Sequence, residues 1–315
     1  MQLLTIILPV YNVDGYLSEN LESINRQTYN HIQLIIIDDG STDNSSEIIE
    51  TFKKNNNLKE VIAVRQKNAG LSEARNSALP YVKGDLIWFI DSDDVIERID
   101  AVSIIVKRFD EEPSLSMLFF GVDLLINDVG ENWGTRPSDS WNYMDTERVM
   151  TKKDFLKEVT PRISVWPYVF KANIIKDNEI SFIPHILYED VTFTLQILHY
   201  SQKIQFLNKK LYLYRQRKAS IMDSQNVSTL DIVSWEKIVE FLFSFMKQKD
   251  ITANHDDFRL FKHHVSYIIG NIFLNKVGSF KDRYNLFKDA QMIGVTSNKL
   301  VVKLLLGQLR KEKNE

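Results

Sequence analysis

Four short runs of almost wholly apolar residues constrain this chain most: Leu3 to Val10, Leu34 to Ile37, Val61 to Val64 and Leu86 to Ile90. Each is rich in Ile, Leu or Val, lacks polar alternation and stops at turn-forming or acidic residues, as a strand covered on both faces does. Between them lie stretches of helical spacing: Tyr16 to about Gln27, a segment carrying Ile48, Ile49 and Phe52 on one face, and Leu71 to Leu79. Doubly buried strands alternating with helices predict an α/β fold with a mostly parallel sheet flanked by helices. Ligands of such sheets bind beyond the carboxyl ends of the strands. Leu118 to Ile126, Ile204 to Leu207 and Leu211 to Tyr214 read as further strands, with helices at Asp154 to Val159 and Tyr188 to Tyr200. From Ser228 onward only helical periodicity remains, with Trp235, Ile238, Val239 and Leu242 at i, i+3, i+4 and i+7. The expected division is a sheet domain over 1–225 and a C-terminal helical region over 226–315. The polar segment from Asn127 to Tyr143 shows no usable period.

Composition removes several classes of function. Lys plus Arg number 39 and Asp plus Glu 42, a net charge of −3, so no global field favours a nucleic acid. With 0 cysteines there is no disulfide, thiolate metal site or thiol nucleophile, which suits a reducing compartment. No apolar run approaches the roughly 18 residues of a membrane-spanning helix. Met1 to Tyr11 lacks the basic start of a signal peptide, so a cytoplasmic location is expected.

Carboxylates gather at the predicted strand ends. Asp91-Ser92-Asp93-Asp94 places three acidic side chains where mutual repulsion is costly unless a cation or backbone donors offset it. Hard oxygen ligands suit Mg²⁺ or Mn²⁺, which take remaining ligands from substrate phosphates. A solvated turn capping the next helix is the plain alternative. A calcium loop of the EF-hand type is disfavoured, because its required Gly and Glu positions hold Ile96 and Val102. Asp38-Asp39-Gly40-Ser41 reads equally as a tight turn with a helix cap and as a carboxylate waiting for a base or ribose, with Tyr11 on the next strand offering an aromatic face. Glycines are too sparse for a dinucleotide fingerprint, and no phosphate-loop motif occurs. Glu189-Asp190 opens a helix. Acidic residues favour that position through the helix dipole, and a carboxylate there can also serve as a general base for a hydroxyl.

Taken together, Leu8-Pro9-Val10-Tyr11-Asn12, Asp38 to Asp43, Asn68 to Asn76, Asp91 to Asp94 and Glu189-Asp190 occur in the order and approximate spacing of family 2 glycosyltransferases. The chain resembles bacterial members of that family with the GT-A fold, over residues 1 to about 222. The resemblance implies a donor site in which Tyr11 stacks on the base, Asp39 bonds the uracil, and Arg75 and Asp91 lie near the ribose, diphosphate or metal. Pro9 and Ser92 complete that set. It implies Asp93, with Asp91, as ligands of Mn²⁺ or Mg²⁺, and Asp190 as the catalytic base with Glu189 beside it. Arg215, Arg217 and Ser220 correspond to a segment that folds over the donor diphosphate in related enzymes, and a solvated edge is the alternative for the two arginines.

The implied activity is an inverting, metal-dependent transfer of a sugar from a nucleotide-diphosphate donor, a UDP-sugar by resemblance, to a hydroxyl of a glycan or lipid-linked acceptor. Such an enzyme builds cell-surface or capsular polysaccharide. Trp166 sits where relatives carry an acceptor-stacking Trp, and plain core is an equal reading. Residues 299 to 313 interleave Leu and Val with Lys and Arg, which suits peripheral contact with anionic lipid at the inner membrane face. It suits a core helix or homodimer packing as well. Two rivals fit less: a sugar-nucleotide pyrophosphorylase needs a glycine-rich start that Leu8 to Asn12 does not supply, and a catalytically silent nucleotide-sugar binding protein does not need Asp93 and Asp190.

Overall fold

The computed structural model describes residues 1–126, 134–137, 147–159, 161, 163–216, 228–274 and 288. In chain order, the first half holds β1 (Leu4–Val10), α1 (Asp14–Asn25), β2 (Ile32–Asp38), α2 (Ser45–Lys54), β3 (Glu60–Arg65), α3 (Leu71–Ala78), a 3₁₀ turn (Leu79–Tyr81), β4 (Leu86–Phe89), β5 (Val95–Ile96) and α4 (Ala101–Glu111). There follow β6 (Leu115–Ile126), β7 (Gly134–Pro137), β8 (Val149–Thr151), α5 (Lys152–Glu158), β9 (Tyr168–Lys171), α6 (Asn173–Asn178), α7 (Glu189–Tyr200), β10 (Lys203–Gln216), α8 (Thr229–Gln248) and α9 (Phe258–Leu274).

Among the described residues the strands form one ten-stranded sheet in the order β3-β2-β1-β4-β9-β6-β10-β5, with β7 on β6 and β8 on β10. β3, β2, β1 and β4 run parallel; β3, expected to be covered on both faces, ends the strand order and is only partly buried. Every side chain of β1, β2 and β4 is buried, each large apolar one contributing roughly 1.5–3 kcal/mol. Beyond β4 the sheet is mixed: β9 pairs antiparallel with β4 and β6, while β6 and β10 are parallel. The inserted β9 is four residues, Tyr168-Val169-Phe170-Lys171, too short to give a period. The two strands read at Ile204–Leu207 and Leu211–Tyr214 are one, β10, whose pairing with β6 shifts register between Leu207 and Tyr212. Helix α4 was not apparent from the sequence, although Val102, Ile105, Val106 and Phe109 form a buried stripe on it.

Two compact units result, Met1–His185 with Phe193–Ser224, and Ile186–Thr192 with Gln225–Glu315. The first holds the whole sheet. In the second, α8 starts with a reciprocal cap. Ser228 Oγ accepts from Asp231 N–H at 3.2 Å, and the Asp231 carboxylate accepts from Ser228 N–H at 2.8 Å. No described helix is long and apolar enough to cross a membrane. The basic segment at 299–313 lies outside the described residues.

One group in α9 links this second unit to pH. His264 Nε2 is shut off from solvent with no hydrogen-bond partner among the described residues. Burial, and then neighbouring His263, lower its pKa from 6.5 to about 3. The folded chain therefore keeps the ring neutral while the unfolded chain takes up a proton below about pH 6.5, so stability present above that pH drains away as pH falls toward 3. At pH 5 the loss is at most about 2 kcal/mol, the cost of holding the ring neutral that far below its ordinary pKa. Urea midpoints measured at pH 7.5 and pH 5 should fall less for His264→Gln than for the native chain; equal falls would remove His264 from the pH response.

Candidate functional site

Three neighbouring parallel strands deliver the acidic clusters to one edge of the sheet. β1 lies between β2 and β4. Asp39 N–H donates to the Val10 carbonyl at 2.8 Å, and Ile90 N–H to the Ile7 carbonyl at 3.0 Å. The chain therefore leaves the sheet side by side at Tyr11, Asp39 and Asp91. Pro9 is tolerated in β1 because the β4 ladder ends at Ile7–Phe89, leaving only the β2 ladder beside it. Tyr11 is 48% exposed and presents an aromatic ring to solvent. The turn after it is held by Asn12, at φ 50°, whose Oδ1 accepts from Thr42 N–H at 2.8 Å.

Asp39 is buried, and its carboxylate accepts from Gln66 Nε2 at 2.7 Å, Ala69 N–H at 2.9 Å and Gly70 N–H at 2.8 Å. Three of its roughly four acceptor positions are thus taken by its own chain. They clamp the 66–70 loop onto the end of β2. Gly40 makes the approach feasible, since at φ +76° a Cβ there would lie 2.8 Å from Asn68 N, and only glycine adopts such a backbone freely. Asp38 holds the same turn from beneath, accepting from Ser41 N–H at 2.8 Å and from Ser46 Oγ at 2.5 Å.

The Asp91–Asp94 turn is gripped from several sides. Arg75, 2% exposed, extends from α3 so that its Nη2 donates to Asp91 Oδ1 at 2.9 Å, with the guanidinium 5.3 Å above the Phe182 ring. Ser92 is buried, whereas Asp91 and Asp93 are partly exposed. Asp94 is fully buried; its carboxylate accepts from the Tyr212 hydroxyl and from Arg215 N–H, each at 2.7 Å. Burial, then Asp93 and Asp91, push its carboxyl well above the usual carboxylate range. The partly exposed pair, Asp91 and Asp93, crowds negative charge beside the buried Asp94, and a divalent cation bound there would offset it. The all-oxygen donor set fits Mg²⁺ or Mn²⁺.

Arg215 faces inward. It is 3% exposed, its Nε donates to the Asp93 carbonyl at 2.5 Å and its Nη2 to Glu19 Oε2 at 2.6 Å, and the guanidinium lies 5.1 Å above the Tyr16 ring. The structure thus spends this guanidinium on the protein, where a reach over a donor diphosphate was expected. Arg217 and Ser220 lie outside the described residues. Trp166 is placed in the core, 6% exposed and stacked with Tyr212 and Tyr214 at 5.1 Å, so plain packing is where this ring is found.

Glu189 and Asp190 belong to the second unit. They open α7, where the dipole favours both carboxylates. Glu189 is buried and Asp190 half-buried. The residues just before them are tied to α8: Leu187 N–H donates to Ser234 Oγ at 2.8 Å, and the Tyr188 hydroxyl to Asp231 Oδ1 at 2.7 Å. Tyr188 sits at φ 60°, a conformation a bulky residue holds only where contacts over-determine it. Burial, then Asp231, push its phenol well above the ordinary range.

Sequence reasoning did not identify Asn20, Glu19, Gln66 or Tyr212 as parts of the site. Asn20 was detectable in principle, as a polar residue in the apolar stripe of Leu17, Leu21 and Ile24 on α1. Tyr212, inside an aromatic and aliphatic strand, carries no such mark.

The fold and its acidic strand ends define the class: an α/β GT-A glycosyltransferase fold with a mixed sheet. Residues 5–162 match the model of glycosyl transferase family 2, and the chain belongs to that family. It is 32% identical over 232 residues to "Glycosyltransferase GlyA" of Streptococcus pneumoniae, an alignment covering 69% of this chain and 31% of that protein. The chain thus spans under a third of that relative's length. In structure it resembles Staphylococcus aureus TarS 1-349 in complex with UDP-GlcNAc, with TM-score 0.69, 20% identity, and coverage of 95% of this chain and 82% of the other. It also resembles the mannosyltransferase PcManGT of Pyrobaculum calidifontis in complex with GDP-Man and Mn²⁺, with TM-score 0.56, 14% identity and coverage of 98% and 80%.

Proposed function

We propose that this chain transfers a sugar from a nucleotide-diphosphate donor, a UDP-sugar, to a hydroxyl of a glycan or lipid-linked acceptor, with inversion, in the assembly of a cell-surface or capsular polysaccharide. The observation that carries the reading is the convergence of Tyr11, Asp39 and Asp91–Asp94 at the carboxyl ends of β1, β2 and β4, where open α/β sheets bind ligands. Family membership and the likeness to a structure bound to UDP-GlcNAc support it.

In this reading the exposed Tyr11 ring receives the base, and Asp39 holds the 66–70 loop against it. Asp93, with Asp91, would hold Mn²⁺ or Mg²⁺, which would supply positive charge to the diphosphate leaving group. Arg75 neutralises and orients Asp91. Asp190 takes the proton of the acceptor hydroxyl as that oxygen attacks the anomeric carbon from the face opposite the departing diphosphate. One displacement inverts the configuration, and no enzyme nucleophile forms a bond to the sugar. The 1–225 segment carries the donor site, 226–315 is a helical appendage, and the basic residues at 299–313 serve peripheral attachment to the inner membrane face or pairing of two chains.

A melting-temperature screen of nucleotide sugars tests the donor class, because a ligand that binds only the native state stabilises it by about 2.7 kcal/mol at a hundredfold excess over Kd. UDP-sugars with Mn²⁺ should raise the midpoint by several degrees, more than the same ligands with EDTA. No UDP-sugar raising it in either condition would overturn the reading.

A further inference from the structure

We propose that Tyr212 and Asn20 are positioning residues for donor binding, holding the main chain of the Asp91–Asp94 turn so that Asp93 meets the cation and diphosphate in a fixed place. The proposal rests on the metal-nucleotide reading above and names the parts that make that site rigid.

The geometry is specific to the turn. The Tyr212 hydroxyl accepts from Asp91 N–H at 3.1 Å and donates to Asp94 Oδ2 at 2.7 Å, so one oxygen ties the first residue of the turn to the last. Asn20, fully buried on α1, donates through Nδ2 to the carbonyls of both Asp91, at 3.0 Å, and Asp94, at 2.8 Å. The turn is thus clasped at the same two residues from α1 and from β10. Asp94 N–H donates to the Asp91 carbonyl at 3.1 Å, and Arg215 binds the Asp93 carbonyl. The Tyr212 ring is itself immobilised, stacked on Trp166 and 6.2 Å from Trp88. A side chain is placed to within a fraction of an ångström only when its supports are locked in this way, and metal sites lose affinity when such outer supports are removed.

Tyr212→Phe deletes one oxygen and leaves the ring in its stack. Asn20→Ala removes the opposite clasp. Calorimetry with UDP, in Mn²⁺ and in EDTA, reads the effect without needing turnover. Each variant should weaken Mn²⁺-dependent UDP binding about tenfold, within the range seen on removing outer-shell partners of metal ligands, while binding in EDTA stays within twofold of native. In activity assays the loss should appear in the KM for donor, with kcat at saturating donor and Mn²⁺ within about threefold. The double variant should lose less than the product of the two single losses, since both act on one turn. Phe119→Leu, a core change packed against Phe155 and Tyr168, supplies a comparison in which stability falls without contact with the turn. If Tyr212→Phe does not fold, Asn20→Ala decides. Native-like Mn²⁺-dependent binding in both variants, with Asp93→Ala defective, overturns the positioning role alone. Native-like binding in Asp93→Ala overturns the metal reading itself, and this proposal with it.

Discussion

Replacing Asp190 by Asn is expected to lower kcat by at least a hundredfold, while Mn²⁺-dependent UDP binding stays within twofold of native. Asn keeps the shape and the hydrogen-bonding reach of Asp but takes no proton from an attacking hydroxyl, and loss of a positioned general base commonly costs 10²–10⁴ in rate. A hundredfold corresponds to about 2.7 kcal/mol of transition-state stabilisation. The change should be silent in the melting temperature to within a few degrees, because Asp190 is half-buried at a helix start and Asn is well accepted near helix N-termini. UDP release in the presence of an acceptor that supports native turnover measures the effect. Full activity in Asp190→Asn would remove this residue from the mechanism. Glu189→Gln separates the neighbours: Glu189 is buried, so its loss should lower stability more than Asp190→Asn does.

The parallel part of the fold was legible because β1, β2 and β4 are buried on both faces and therefore have no polar alternation to hide them. Their ends were legible for a related reason, since Asp38-Asp39 and Asp91 to Asp94 break apolar runs abruptly. The antiparallel additions were not. β5 has two residues, β8 three and β9 four, lengths that hold no period and gain their identity only from β4, β6 and β10. The site divides along the same line. Candidates with exposed or acidic side chains, such as Tyr11 and Asp93, stand out in the sequence. The supports do not, because their role is set by tertiary contacts: Asn20 and Tyr212 reach the Asp91–Asp94 turn across 74 and 118 residues of sequence. Arg215 shows the converse, a cation that the resemblance set over the donor diphosphate, with a solvated edge as the alternative, but whose partners are Glu19 and a backbone carbonyl.

Asp93→Ala is expected to abolish the difference between UDP binding with Mn²⁺ and with EDTA. In the proposed site a cation at Asp91 and Asp93 would offset carboxylate crowding and attract the diphosphate, so the two effects would add. Removing one of the two partly exposed carboxylates halves the protein's charge toward the ion and takes away a hard oxygen ligand. The Kd for UDP in Mn²⁺ should rise at least tenfold, about 1.4 kcal/mol or more, while the Kd in EDTA changes little or falls, because one negative charge fewer faces the diphosphate. Stability should not fall, since Asp93 is partly exposed and the turn is held by its main-chain contacts to Asn20, Tyr212 and Arg215. Relief of repulsion on the buried Asp94 should if anything raise the melting temperature in EDTA, because Asp93 is among the charges that push the Asp94 carboxyl above its usual range. A ligand-free stability gain together with a lost response to Mn²⁺ is a combination that damage to the fold does not produce. An unchanged response to Mn²⁺ would take Asp93 out of the metal site.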